Sequence, residues 1–142
     1  MTIVYNAVLE PDPDGGFVAT FPDLPEAIAG GPTRDKAIGE ATEALGTALR
    51  GRWKDGTPLP KRVFTDGTPV AVSLLDGLKL AVLDRFAASA LDEGDLARRL
   101  DGTVRQARQV LDPFHRTQAD ALEAALRALG AETRIEIVDL AA

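Results

Sequence analysis

The chain has 142 residues, a formal net charge of −6 and no cysteine. This length suits one ordinary domain or two small ones, because a piece of about 70 residues lies near the lower limit for folding alone. The lack of cysteine excludes disulfides and thiolate metal sites, and the acidic charge argues against indiscriminate nucleic-acid binding and favours a basic partner.

The sequence also lacks the features of a membrane or exported protein. No apolar run approaches the roughly 20 residues that span a bilayer, and the first residues, M-T-I-V-Y-N, lack the basic and then apolar order of a signal peptide. We therefore expect a soluble, cytoplasmic protein with no membrane partner.

The chain begins with a predicted β-hairpin. Residues 2–10 are rich in β-branched side chains and are closed by Pro11, which favours a strand. The run D-P-D-G-G supplies turn residues and returns the chain into a second strand at residues 17–21. Asp12 and Asp14 are better explained as parts of this turn than as a cation site.

A proline-stiffened elbow follows, with the sequence P-D-L-P at residues 22–25. Two prolines fix φ and lack N–H donors, so this segment is expected to form a corner at the edge of the sheet. Leu24 would project from the corner between Asp23 and Glu26 as a docking knob. A short third strand is expected at residues 27–29, and Gly30 and Gly31 would then release the chain.

A long amphipathic helix is predicted next, over residues 34–54. Thr33 can cap it, and apolar residues recur at spacings of three and four. Dense proline and glycine at residues 55–69 predict a linker. Residues 62–65 and 70–74 could each form an extended piece.

Helical patterns dominate after residue 76. Four helices are expected over about 77–90, 93–100 and 104–111, and from a cap at Thr117 to a stop at Gly130. Residues 132–138 alternate apolar and polar side chains and are predicted to form a strand. No partner strand is evident nearby, so we expect this strand to pair with its twin in a second chain.

The second and third of these helices, with their tight connection, match a helix-turn-helix arrangement. Their apolar residues can face inward, while Thr103, Arg105, Gln106 and Gln109 lie where a recognition helix contacts base edges. Arg98, Arg99 and Arg108 suit phosphates. Residues 96–116 hold five arginines and two aspartates, a basic island in an acidic chain. The alternative is a solvated polar face on a small helical domain.

Few residues could support catalysis. His115 is the single histidine, so a metal site or a nucleophile–base pair has little raw material, and a loop role or a phosphate contact is favoured. The order of elements in residues 2–74 resembles part of an RNase H-like domain, but the first strand carries Tyr5, Asn6 and Ala7 instead of clustered acidic metal ligands. We expect no enzyme activity, catalytic residue, metal or cofactor.

Several motifs in order carry a family resemblance. They are G-G-F-V-A-T-F-P-D-L-P-E-A, D-G-T-P-L-P, K-L-A-V-L, D-L-A-R-R-L, V-L-D-P-F-H-R-T and L-E-A-A-L-R-A-L-G. The chain thereby resembles HicB-type antitoxins of type II toxin–antitoxin pairs. The resemblance implies an α+β fold, with a degenerate RNase H-like β-β-β-α-β domain at residues 1–74 and an all-α helix-turn-helix domain with a short C-terminal strand at residues 75–142.

The resemblance also implies partners. The first domain would bind and neutralise a HicA-type mRNA-cleaving toxin through Phe21, Pro22, Asp23, Leu24, Pro25 and Glu26. The second domain would dimerise and bind operator DNA, repressing its own operon as a homodimer or homotetramer. The alternative is a stand-alone helix-turn-helix regulator whose first domain only dimerises or senses a ligand.

Overall fold

The computed structural model of the protein describes residues 3–139. This part contains a four-stranded antiparallel sheet and five α-helices, which confirms the mixed α+β class predicted from the sequence. The sheet has the order β3-β2-β1-β4. Its strands are β1 (Val4–Pro11), β2 (Phe17–Thr20), β3 (Ile28–Gly31) and β4 (Thr68–Ala71). The helices are α1 (Arg34–Lys54), α2 (Leu74–Ala88), α3 (Glu93–Arg99), α4 (Val104–Leu111) and α5 (Ala119–Ala128).

The hairpin between β1 and β2 is formed as predicted, with Val8 opposite Thr20. Oδ1 of Asp12 accepts a hydrogen bond from the N–H of Asp14 at 2.9 Å, so the aspartates serve the turn. Gly16 has a φ of 78°, and a Cβ there would collide with the carbonyl oxygen of Gly31. Only glycine meets both demands without strain.

The third strand differs from the prediction. It was expected at residues 27–29 with a release at the glycine pair, but β3 runs through both glycines to Gly31. A Cβ on Gly31 would lie 2.7 Å from the backbone nitrogen of Ala37 in α1. The glycine therefore lets the strand continue until the helix crosses it closely.

Helix α1 has the predicted bounds. The side chain of Thr33 caps it by accepting a hydrogen bond from the N–H of Lys36 at 3.2 Å. The buried face of the helix packs on one side of the sheet and forms the first hydrophobic core. This core includes Tyr5, Ala7, Ala19, Phe21, Ala41, Leu45, Leu49 and Val70.

The predicted linker after α1 contains no helix or strand until Thr68, so the possible extended piece at residues 62–65 does not join the sheet. Its backbone bonds to side chains instead, because Nδ2 of the buried Asn6 donates to the carbonyl oxygens of Thr65 at 3.0 Å and Asp66 at 2.8 Å. Strand β4 begins two residues before the predicted 70–74 segment and ends within it at Ala71, since Ser73 caps α2 by accepting from the N–H of Asp76.

Helices α2 to α5 form two further small cores. Leu78 and Val82 of α2 pack with Val110, Leu122 and other apolar residues of α4 and α5, whereas Leu80 of the same helix packs into the sheet core. Helix α2 therefore contributes both to the sheet core and to a core formed by the helices. The four predicted helices are confirmed in order, although α2 begins earlier than expected.

Near the C-terminus one prediction is wrong and another is not tested by a single chain. Thr117 does not cap α5, since its hydroxyl bonds to Lys79 and His115 and the N-cap position is Gln118. The predicted strand at residues 132–138 does not form in the single chain. A strand needs a neighbour for its backbone hydrogen bonds, and all four described strands lie in the N-terminal sheet. Pairing with a second copy stays a prediction.

Candidate functional site

The elbow predicted to contact a toxin is folded inward. The N–H of Leu24 donates to the carbonyl oxygen of Phe21, and the N–H of Ala27 donates to that of Leu24, each at 3.0 Å. These successive turns bury Phe21 and Leu24, whose exposed fractions are 1% and 0%. The expectation that Leu24 projects as a docking knob is wrong, because its side chain is part of the sheet core.

The two carboxylates of the elbow bind to other parts of the protein. Oδ2 of Asp23 accepts hydrogen bonds from the N–H groups of Val63 and Phe64, both at 2.9 Å, and so fixes the linker. Glu26 forms a salt bridge with Arg52 of α1. The hydrogen bond from Arg52 holds the pKa of Glu26 below its usual range.

The surface left by the elbow is therefore small. Pro22 and Pro25 are exposed, and the Glu26 side chain retains 44% of its accessible area. Of the six residues predicted to contact a toxin, these three can be reached by a partner in this conformation. Asp23 is half-buried.

The second candidate site is the helix pair, defined as α3, α4 and the turn between them. Each helix begins with a reciprocal capping box, made by Asp92 with Asp95 and by Thr103 with Gln106. Leu96, Ala97 and Ala107 form the buried contact between the helices, as predicted. Asp101 in the turn has a φ of 52°, a conformation that aspartate tolerates better than most residues. The pair is thus locally well determined.

The residues predicted to contact DNA lie on the outer surface of the helix pair. Thr103, Arg105, Gln106, Arg98, Arg99 and Arg108 are exposed and Gln109 is half-buried. Several already have partners: Arg108 pairs with Glu93 at 2.6 Å, Arg98 pairs with Asp95, and Arg99 donates to the carbonyl oxygen of Ala128. Within residues 3–139, Arg105 makes neither a hydrogen bond nor a salt bridge.

The arginines in these exposed ion pairs can still bind another anion. Such pairs contribute about 0–1 kcal/mol, so Arg98 and Arg108 can exchange their carboxylates for another anion at small cost. The side-chain oxygen of Gln106 is different, because it accepts the N–H of Thr103 at 2.8 Å in the capping box.

Val104 is a surface residue that the sequence interpretation missed. It is the first residue of α4 and remains 41% exposed beside Arg105. An apolar side chain at this place can contact the methyl group of thymine.

Comparison with known proteins decides the family. A family model described as the HicB-like antitoxin of bacterial toxin–antitoxin systems matches residues 4–81. Antitoxin HicB of Escherichia coli K12 is 32% identical over 136 residues, covering 94% of this chain and 99% of that protein. The chain belongs to the HicB family of antitoxins. Antitoxin HicB 1 of Photorhabdus laumondii is 33% identical, covering 94% of this chain and 86% of that protein.

Family membership confirms the resemblance seen in the sequence motifs, and it supports an antitoxin role with a toxin as partner. The similarity includes both the sheet and the helix pair, since the match to the Escherichia coli antitoxin covers nearly the whole chain. Among the helices of residues 3–139, none combines the length and apolar character needed to cross a membrane.

A buried lysine supports the helix pair of this HicB-family chain. Lys79 in α2 is 3% exposed, and its Nζ donates to the carbonyl oxygens of Gln109 at 3.2 Å and Val110 at 2.8 Å, and to the hydroxyl of Thr117 at 2.8 Å. These carbonyls end α4, where a positive charge is favourable. The sequence pattern gave no sign of this role, because a lysine in a helix is usually solvated.

Burial lowers the pKa of Lys79 to about 8, with Asp112 opposing the change and Arg50 adding to it. The ordinary value is 10.5, so the unfolded chain binds more protons than the folded chain between pH 8 and 10.5. The free energy of unfolding should therefore rise with pH, by about 2 kcal/mol between pH 7 and pH 10. Urea unfolding at a series of pH values measures this rise.

Lys79→Met should abolish the rise, and Lys61→Met, at an exposed lysine, should retain it. The series ends at pH 10 because burial raises the pKa of Tyr5, and that group makes unfolding easier above its ordinary value. A rise of equal size in Lys79→Met would contradict the assignment.

His115 has a structural role in the loop before α5. Its Nδ1 lies 3.0 Å from the Thr117 hydroxyl, which also bonds to Lys79. Within residues 3–139, no group of three or more His, Asp or Glu side chains comes together as a possible metal site.

Proposed function

We propose that this HicB-family chain neutralises a HicA-type mRNA-cleaving toxin and represses its own operon by binding operator DNA. The observation that carries the proposal is the family match over the sheet and the helices together. The charge distribution supports it, since an acidic chain suits a toxin that must be basic to hold RNA, while the helix pair presents exposed arginines.

In this proposal the helix pair is a helix-turn-helix and α4 is its recognition helix. Arg105, Val104 and the remaining donors of Gln106 and Gln109 contact base edges, and Arg98, Arg99 and Arg108 contact phosphates. Thr103 positions the start of α4 through its cap. Two copies in a homodimer or homotetramer would address half-sites about one duplex turn apart.

The sheet and α1 are proposed to be a degenerate RNase H-like, toxin-binding unit at residues 1–74, joined to a DNA-binding and dimerisation unit at residues 75–142. Asn6 is a buried polar residue in the middle of β1. Its amide is fully used, because Oδ1 also accepts from Nε of Arg62 at 2.8 Å. Asn6 therefore holds the linker against β1, which agrees with a binding role for the sheet in place of nuclease chemistry. We propose the cytoplasm as the place of action.

The test uses the full chain, because a fragment ending near residue 74 would lose Leu80 from the sheet core. The protein is co-expressed with a HicA-type toxin, taken from the adjacent reading frame where that frame encodes a small basic protein. Growth, co-purification and RNA cleavage are measured. Gel shift with the DNA upstream of the gene measures operator binding. Rescue of growth and retardation of the DNA are expected. DNA binding without rescue would favour the stand-alone regulator.

A further inference from the structure

The two edges of the sheet differ in how they are protected. Strand β4 contains Pro69, which lacks an N–H donor, and the linker is bonded to β1 beside it. Strand β3 reads Ile-Ala-Gly-Gly and contains neither proline nor charge. Proteins usually protect an edge strand with proline or charged residues, because the free N–H and C=O groups of the edge can pair with another chain. An unblocked edge indicates a partner.

An open groove of about 620 Å³ runs between β3 and α1. Small residues of the helix and strand line its apolar part, including Ala29, Ala44 and Ala48. Ile28 is 62% exposed at the end where the elbow meets β3. The groove thus combines a strand edge with an accessible apolar surface.

The rim of the groove is negative. Glu26 is neutralised by Arg52, but Glu40, Glu43 and Asp55 also line the groove and have no salt-bridge partner in residues 3–139. Three uncompensated carboxylates beside one strand edge favour a cationic ligand. The backbone edge favours one in extended conformation.

We propose that a basic, extended segment of the toxin docks in this groove and adds to the sheet along β3, with its cationic side chains facing Glu40, Glu43 and Asp55. The inference rests on the proposed toxin-binding function and places its contact surface. Glu26, one of the residues predicted to contact the toxin, lies at one end of this contact surface. The apolar contact is then made by the exposed Ile28 and not by the buried Leu24.

The test compares Glu40→Lys/Glu43→Lys with the control Asp66→Lys/Asp84→Lys, all four positions being exposed. Both double variants change the net charge equally, but only the first lies in the groove. With the toxin encoded beside the gene as probe, the groove variant should bind about 10- to 100-fold more weakly by calorimetry. The control should bind within about threefold of the unmodified chain. Circular dichroism checks folding.

Hydrogen exchange tests the strand addition separately. Those amides of residues 28–31 that face away from β2 should exchange about tenfold more slowly in the complex. The amides of residues 68, 70 and 71 in β4 should not change. Unchanged exchange in β3, or equal weakening in both double variants, would overturn the inference while the proposed function stands. Failure of the unmodified chain to bind the toxin would overturn the proposed function itself.

Discussion

Leu24→Ala should lower the free energy of unfolding by about 3 kcal/mol, because it removes a fully buried side chain from the sheet core. A domain of this kind has about 5–15 kcal/mol in total, so the variant should remain folded in buffer but unfold at a clearly lower urea concentration. Equilibrium unfolding followed by Trp53 fluorescence measures the change.

Val63→Ala is the matched control for Leu24, since Val63 is 76% exposed and lies in the linker that the elbow holds. Its effect should stay within about 0.5 kcal/mol. If Leu24→Ala cost no more than the control and instead weakened toxin capture in the folded protein, Leu24 would be a contact residue and its buried position would be wrong.

Arg105→Ala should weaken operator binding by about 30-fold or more, because each bidentate contact to a base contributes about 1–3 kcal/mol and a dimer loses two of them. Toxin capture should be unchanged, since Arg105 has no partner in residues 3–139 whose loss would disturb the fold. Gel shift at fixed salt concentration, with calorimetry on the same preparations, measures both quantities.

Arg34→Ala removes the same charge outside the helix pair, at an exposed residue in the first turn of α1. It should leave operator affinity nearly unchanged. Gln106→Ala is a poorer probe than Arg105→Ala, because it also removes an acceptor from the capping box of α4. Equal loss of DNA and toxin binding in Arg105→Ala would argue against separate surfaces.

Local signals predicted most of the architecture. Thr33 and Thr103 cap α1 and α4 as expected, because a cap and its partner lie within one helical turn. The turn at Asp12 to Gly16 and the apolar contact of Leu96 with Ala107 also depend on neighbours close in sequence. Such features can be found from spacing alone.

The errors concern long-range partners. Leu24 points inward because it packs in the sheet core with residues of α1. The role of Lys79 depends on carbonyl oxygens 30 and 31 residues away in the sequence. Thr117 bonds to this lysine and does not cap α5. None of these contacts produces a periodic pattern in the sequence. The strand expected at residues 132–138 requires a second chain, which no pattern within one chain can supply.

Helix α2 inserts Leu80 into one core and Leu78 and Val82 into another. Thermal unfolding of the sheet and of the helices should therefore be cooperative, because unfolding of either part removes the apolar contacts that α2 makes with the other part. A protease that opens either region should therefore remove the proposed toxin capture and the proposed promoter control in a single event.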